Sequence, residues 1–377
     1  MSVSDRPLAV VGVPGHRRLG LFSAAARGAG LADPVVVPWR DLAVGPVDLP
    51  ANALVRVDSH GEDAETARLL RGLPHPPDLY RAEGTARQHA GFREALARLA
   101  GSVAATPGAH LLQEPADLVD MCDKRRCHAR LAAAGVPVAP VLEGPVTGYA
   151  SLRAAMAERG WPRVFVKPAH GSSASGVIAL ATAPGGRIRA VTSADLVRSD
   201  DGSVALYNSL RLRTYTTEEE VAAVVDALAP DGLHVERWVP KAGFDGGVID
   251  LRVVVVAGRA AHTVVRSSRS PLTNLHLGNA RGDLEGLRDA MGPRAWGAGM
   301  AVAEAAAACF PRTLHAGVDL LVSPGWSAFT VCEVNAFGDL LPRVLHEGRD
   351  TYAEQLRALT DGRFPVPSSV APPSLPV

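Results

Sequence analysis

Apolar residues come in short, compact runs along this chain. Residues 7–13 (PLAVVGV) form the first, and Gly15 with a helix-like stretch to Ala26 follows, the way a βα unit opens a parallel sheet. Residues 34–37 and 53–57 supply two more strands, and 62–70 and 86–99 carry helical spacing. That alternation predicts an N-terminal α/β domain over 1–115. The Gly12-Val13-Pro14-Gly15 loop has two readings: a tight βα turn, or a seat for a phosphate or substrate carboxylate.

A helix over 117–134, stopped by Gly135 and followed by Pro137 and Pro140, opens a second domain over 116–235. Residues 163–181 (RVFVKPAHGSSASGVIALA) predict a hairpin across a small-residue loop. Residues 185–216, rich in Gly, Ser, Asp and Arg, look like an insertion outside the core. Its Arg211 and Arg213 either meet an acidic substrate or are solvated strand-edge charges. A third domain over 236–363 is expected to follow, with strands at 233–239 and 249–257, a polar loop to Asp283, a helix near 295–309 and a hairpin at 315–335. The tail 364–377 is proline-rich, and disorder is expected there.

Charge narrows the partners. Lys plus Arg and Asp plus Glu number 39 each, so no overall field draws the chain to nucleic acid or to an anionic membrane. No apolar run approaches a membrane span. The N-terminus reads as a polar lead into a strand and not as a leader peptide, and a cytoplasmic location is expected. Cys122, Cys127, Cys309 and Cys332 form no CxxC pair, which favours buried or incidental thiols over zinc or disulfides.

The richest chemistry lies in the hairpin AGVDLL, a Pro324-Gly325 turn, and TVCEVN. Period 2 puts Glu333 and Asn335 on one face, and a turn centred near Trp326 sets Asp319 opposite Glu333. Opposed carboxylates on a half-buried sheet face repel unless a cation lies between them, and an all-oxygen set suits Mg²⁺. The competing reading has each acid capping a turn or pairing with an arginine. Lys167, at a strand end before the His170–Gly176 loop, predicts a point charge beside backbone N–H groups of Gly171, Ser172 and Ser173 that close over polyphosphate. Arg252 in the DLR segment, Arg266 and Asn274 can hold a γ-phosphate or stabilise an acyl phosphate. Glu236, in ERWV, ends a strand with an acid able to accept from an adenine amino group, and by itself is a weak signal. Lys124 alone reads as a solvated helix residue.

Taken in order, residues 117–355 resemble the ATP-grasp superfamily, and among it the RimK-like amino-acid ligases in their DLR, TNLHLGN and EVN segments. The resemblance implies an α/β (α+β ATP-grasp) fold in which two subdomains clasp ATP behind the N-terminal domain. It implies Lys124 and Lys167 as nucleotide-binding lysines, Glu236 and Val239 as adenine contacts, and Asp319, Glu333 and Asn335 as ligands of Mg²⁺ or Mn²⁺. It also implies Arg252, Arg266 and Asn274 as phosphate stabilisers, and a homodimer. The implied activity is coupling of a carboxylate to an amine through an acyl phosphate, with small-molecule or peptide substrates. The alternatives are modification of a peptide or protein side chain, and a regulatory protein that binds ATP without turnover. Two departures stand out: Asn279 replaces a glycine common in relatives, and the 185–216 segment is not general among them.

Overall fold

The computed structural model describes residues 3–367, so 368–377 of the expected tail lie outside the described residues. The chain opens with β1 (Leu8–Gly12), α1 (Arg17–Gly28), β2 (Val35–Pro38), α2 (Trp39–Val44), β3 (Leu54–Val57), α3 (Ala64–Arg71), α4 (Thr85–Ala105) and β4 (His110–Leu111). The four strands are all parallel in the order β2-β1-β3-β4. Every residue of β1 and β3 is buried, as expected for strands covered on both faces.

There follow α5 (Pro115–Met121), α6 (Lys124–Ala133), α7 (Tyr149–Glu158), β5 (Arg163–Pro168), β6 (Ile178–Ala183), β7 (Arg187–Arg198), β8 (Val204–Tyr215), α8 (Glu218–Leu228) and β9 (Leu233–Arg237). The single helix expected over 117–134 is two. Asp123 leaves the helix and caps α6 by accepting from Arg125 N at 3.0 Å, which makes Lys124 the first residue of a new helix.

The segment 185–216 is likewise not an insertion outside the core. β7 and β8 are two strands of an antiparallel sheet ordered β8-β7-β6-β5-β9. Ile188, Ala190, Ala194 and Leu206 enter its core, while the Gly/Ser/Asp cluster at 199–203 is only the hairpin turn. The charged residues lie on the open side: Arg211 is exposed and Arg213 pairs with Asp195 at 2.6 Å, as solvated strand-edge charges do. The expected boundary at 235 cuts through β9, which pairs with β5.

The remainder comprises β10 (Gly243–Phe244), β11 (Gly247–Val256), β12 (Arg259–Ser268), β13 (Ala280–Arg281), α9 (Leu284–Ala308), β14 (His315–Val322), β15 (Phe329–Asn335) and α10 (Thr351–Thr360). This third sheet is antiparallel, ordered β13-β12-β11-β14-β15, with β10 added against β11. α9 starts earlier than expected and breaks at Gly292, before Pro293. One apolar core joins the first and third sheets, with Val55, Leu96, Val253 and Val318 among its members.

Past β15 the chain doubles back so closely on β14 that a Cβ on Gly317 would sit 2.6 Å from the Cα of Gly338, and the reverse holds too. Among the described residues, no helix is long and apolar enough to cross a membrane.

Candidate active site

The register of the third sheet assembles a row of charge. Arg252 on β11 lies opposite Asp319 on β14, which lies opposite Glu333 on β15. The opposition of Asp319 and Glu333 is the one expected from the turn near Trp326. A bulge at Cys332 then shifts the register, so that Leu320 faces Val331.

Arg252 grips Asp319 through Nε and, at 3.3 Å, through Nη2, and Nη1 donates to Gly338 O at 3.2 Å. Arg266 Nη1 reaches the same carboxylate at 3.1 Å. Burial opposes the Asp319 charge, but the two guanidiniums outweigh it and hold the carboxyl down at about 2. Glu333, with 23% of its side chain exposed, pairs with Lys124 Nζ at 2.9 Å. Asn335 shares its face and donates to Gly317 O at 3.2 Å. Among the described residues no three His, Cys, Asp or Glu side chains gather as a metal cluster; the expected set has two acids and an amide oxygen.

The second sheet brings the other half. Lys167, buried on β5, donates to both oxygens of Glu236 at 2.7 Å and lies 3.3 Å from Cys332 Sγ across the cleft. Burial works against the Lys167 charge, yet the Cys332 sulfur and the Glu236 carboxylate keep its pKa above the usual lysine range. Glu236 is held well below the usual carboxylate range, Lys167 and a 2.9 Å contact with His234 outweighing its burial. Its carboxylate therefore serves Lys167 and His234 in this structure, while half-buried Val239 follows β9 in the connecting loop.

Lys124 proves to be more than a solvated helix residue: its ammonium donates to Gly171 O as well as to Glu333, tying the small-residue loop to the carboxylate row. In that loop Ser173 and Ala174 are left-handed, at φ 53° and 60°, a conformation that turns successive N–H groups toward one side. Ser172 and Ser173 are exposed at its tip.

Sequence reasoning missed three polar residues here. Asp250 accepts from Arg266 Nε at 2.6 Å and also from Thr273 Oγ1. Lys241 Nζ donates to Thr273 Oγ1 at 2.8 Å. Asp250 was visible within DLR; the other two are single polar residues in loops. Asn279, the departure from a glycine, holds Leu272 O at 2.7 Å and Asn274 O at 2.9 Å, which closes the turn carrying Asn274.

No family model and no curated protein matches the sequence. Solved structures do match the fold. The D-cycloserine synthetase DcsG superposes with a TM-score of 0.56 at 18% identity, over 93% of this chain and 99% of that one. The macrocyclase MdnC from Microcystis aeruginosa MRC, bound to precursor peptide MdnA, gives 0.54 at 12%, over 95% and 99%. A RimK domain ATP-grasp protein from Sphaerobacter thermophilus DSM 20745 gives 0.51 at 16%, over 94% and 100%.

The chain has the ATP-grasp fold.

Lys167 on β5 and Asp319 on β14 both bear on Cys332 of β15. The thiol of Cys332 is pushed up to about 11 by burial, which leaves it a packing group.

Proposed function

We propose that this chain is a Mg-ATP-dependent ligase that joins a carboxylate to an amine. The observation that carries the reading is the charge at the clasp. Lys124, Lys167, Lys241, Arg252 and Arg266 are five cations; Glu236, Asp250, Asp319 and Glu333, their partners, are four acids. A site built to hold itself together would balance. One with surplus positive charge beside a left-handed, N–H-rich loop suits a polyanion.

The residues fit a hard divalent cation on the nucleotide. Asp319 and Glu333 are register partners, Asn335 adds an oxygen on the same face, and a metal there would take the place of Lys124 on Glu333 and of a guanidinium on Asp319. When bound, Mg-ATP would supply the phosphoryl group that activates the carboxylate, so that the amine could attack the acyl carbon and phosphate could leave. Lys167 and Lys124 offer point charges to the phosphates. Arg252 and Arg266 would stabilise the charge that spreads over the phosphoryl oxygens, and Asn274 would help to orient that end. Closure of the Gly171–Ser173 loop excludes water. Glu236, with Val239 beside it, forms the adenine end, and the 1–115 domain supplies the substrate wall. Since MdnC was solved with a precursor peptide, a peptide carboxylate is the second reading for the donor.

The test is phosphate release by purified protein with Mg-ATP, screened against pooled carboxylates, amines and acidic peptides. Release that depends on a carboxylate and an amine together supports the ligase. Tight Mg-dependent ATP binding without release under any pool would favour a regulatory protein, and absence of ATP binding would sink the reading.

A further inference from the structure

We propose that Lys241 is a positioning residue that braces the loop bearing Asn274 against the segment leaving β9. The role of that loop in turnover rests on the ligase reading above; the brace itself does not. Lys241 lies two residues past Val239, and its neighbour Ala242 is anchored by donation to Val322 O at 2.7 Å. From this fixed base the ammonium, with a tenth of its side chain exposed, spans to the opposite loop. It donates to Pro271 O at 3.1 Å and Thr273 Oγ1 at 2.8 Å, and lies 3.6 Å from Asp250 Oδ2.

Two of the three N–H groups of the ammonium are taken by acceptors on the opposite loop, and Asp250 adds an ion pair. The direction of the chain of contacts is fixed. Thr273 Oγ1 accepts from Lys241 and donates its proton to Asp250. Asp250 takes Arg266 Nε at 2.6 Å, and Arg266 Nη1 reaches Asp319 at 3.1 Å. One lysine therefore holds two of the three residues before the expected phosphate contact Asn274 and, through Asp250, bears on the aim of Arg266. Burial lowers the Lys241 pKa, and the Asp250 carboxylate offsets part of that.

The experiment compares Lys241→Met, Lys241→Arg, Thr273→Val and the Met/Val double variant. Amide hydrogen exchange over 269–279 is read without any substrate. Affinity is measured for Mg and the non-hydrolysable analogue AMP-PNP, and phosphate release by KM and kcat. The brace predicts exchange in the loop faster by about tenfold or more in Lys241→Met and Thr273→Val, and a double variant no worse than the worse single one. It predicts AMP-PNP affinity within about twofold of the parent, kcat down about tenfold or more at little-changed KM for ATP, and partial rescue by Lys241→Arg. Unchanged exchange with AMP-PNP bound about tenfold more weakly in Lys241→Met would overturn the brace in favour of direct nucleotide contact. Additive losses in the double variant would overturn it as well. Should Lys241→Met not fold, Thr273→Val alone decides by its exchange. If the parent releases no phosphate under any condition the ligase reading fails, while the exchange result still stands or falls by itself.

Discussion

Two networks of arginine and carboxylate share this molecule and behave differently. At the clasp, Arg252 and Arg266 hold Asp319 beside a Glu333 that solvent reaches, and cations outnumber acids. Where the first sheet meets α10, Arg56 is 1% exposed and Asp339 not at all. There Arg56 binds Asp58 at 2.9 Å and Asp339 at 2.7 Å, Arg18 binds Asp339 at 2.8 Å, and Gln355 reaches both Arg56 and Asp339. Two arginines meet two aspartates, and the guanidinium of Arg56 lies beside the paired rings of Phe22 and Tyr352, at 5.0 and 5.3 Å from their centres. The sealed network is neutral, and what it organises is the fold. The open one is left with an unspent positive charge, and that surplus separates a binding site from a buried ionic joint more surely than the mere presence of charge does.

Removing a partner from each should separate them. Asp339→Ala leaves Arg56 and Arg18 with Asp58 as the one carboxylate of the joint, and stability in urea should fall by about 3–5 kcal/mol. A loss below about 1 kcal/mol would make the joint dispensable and undo the contrast. Glu333→Ala should do the opposite: phosphate release slowed by a barrier increase of about 3–4 kcal/mol, with a melting temperature close to the parent. Equal damage to both readouts would mean that the clasp carries fold stability too.

A pH titration sharpens the same contrast. His315 is buried 3.3 Å from Asp339, and burial pushes its pKa down to about 4. The unfolded chain takes up that proton near pH 6.5, before the folded one does. Stability should therefore decline as pH falls from about 6.5 to about 4 and then level off for this group, a loss on the order of 1–3 kcal/mol. His315→Gln should flatten that slope; an unchanged slope would assign it to other groups. The smallest effect is expected at Cys332→Ser. With the thiol pKa near 11, turnover should stay within about twofold, and a collapse in rate would point to sulfur chemistry.

Much of the clasp was legible because it is local. Period 2 and a short turn between two apolar strands bring Asp319 within one residue of Glu333, and the bulge completes the opposition. The bulge at Cys332 was not legible, since an extra residue in a strand leaves no pattern in hydrophobicity. The β7–β8 hairpin was misread because its edge strand alternates arginines with leucines and its turn is rich in Gly, Ser and Asp, which together imitate a surface insertion. The α5–α6 break turned on one aspartate preferring a cap to a helix interior. The Arg56 joint lay furthest from view: Arg56 and Asp339 are 283 residues apart, and no local spacing connects them.

The contact of Gly317 with Gly338 has a further consequence. A methyl group at either position strikes main chain at 2.6 Å, so a change at one cannot be repaired by a change at the other. In a library of random variants selected for function, both codons should remain fixed while those around them drift, and the strand of Asp319 would keep its alignment through a constraint that no side chain provides.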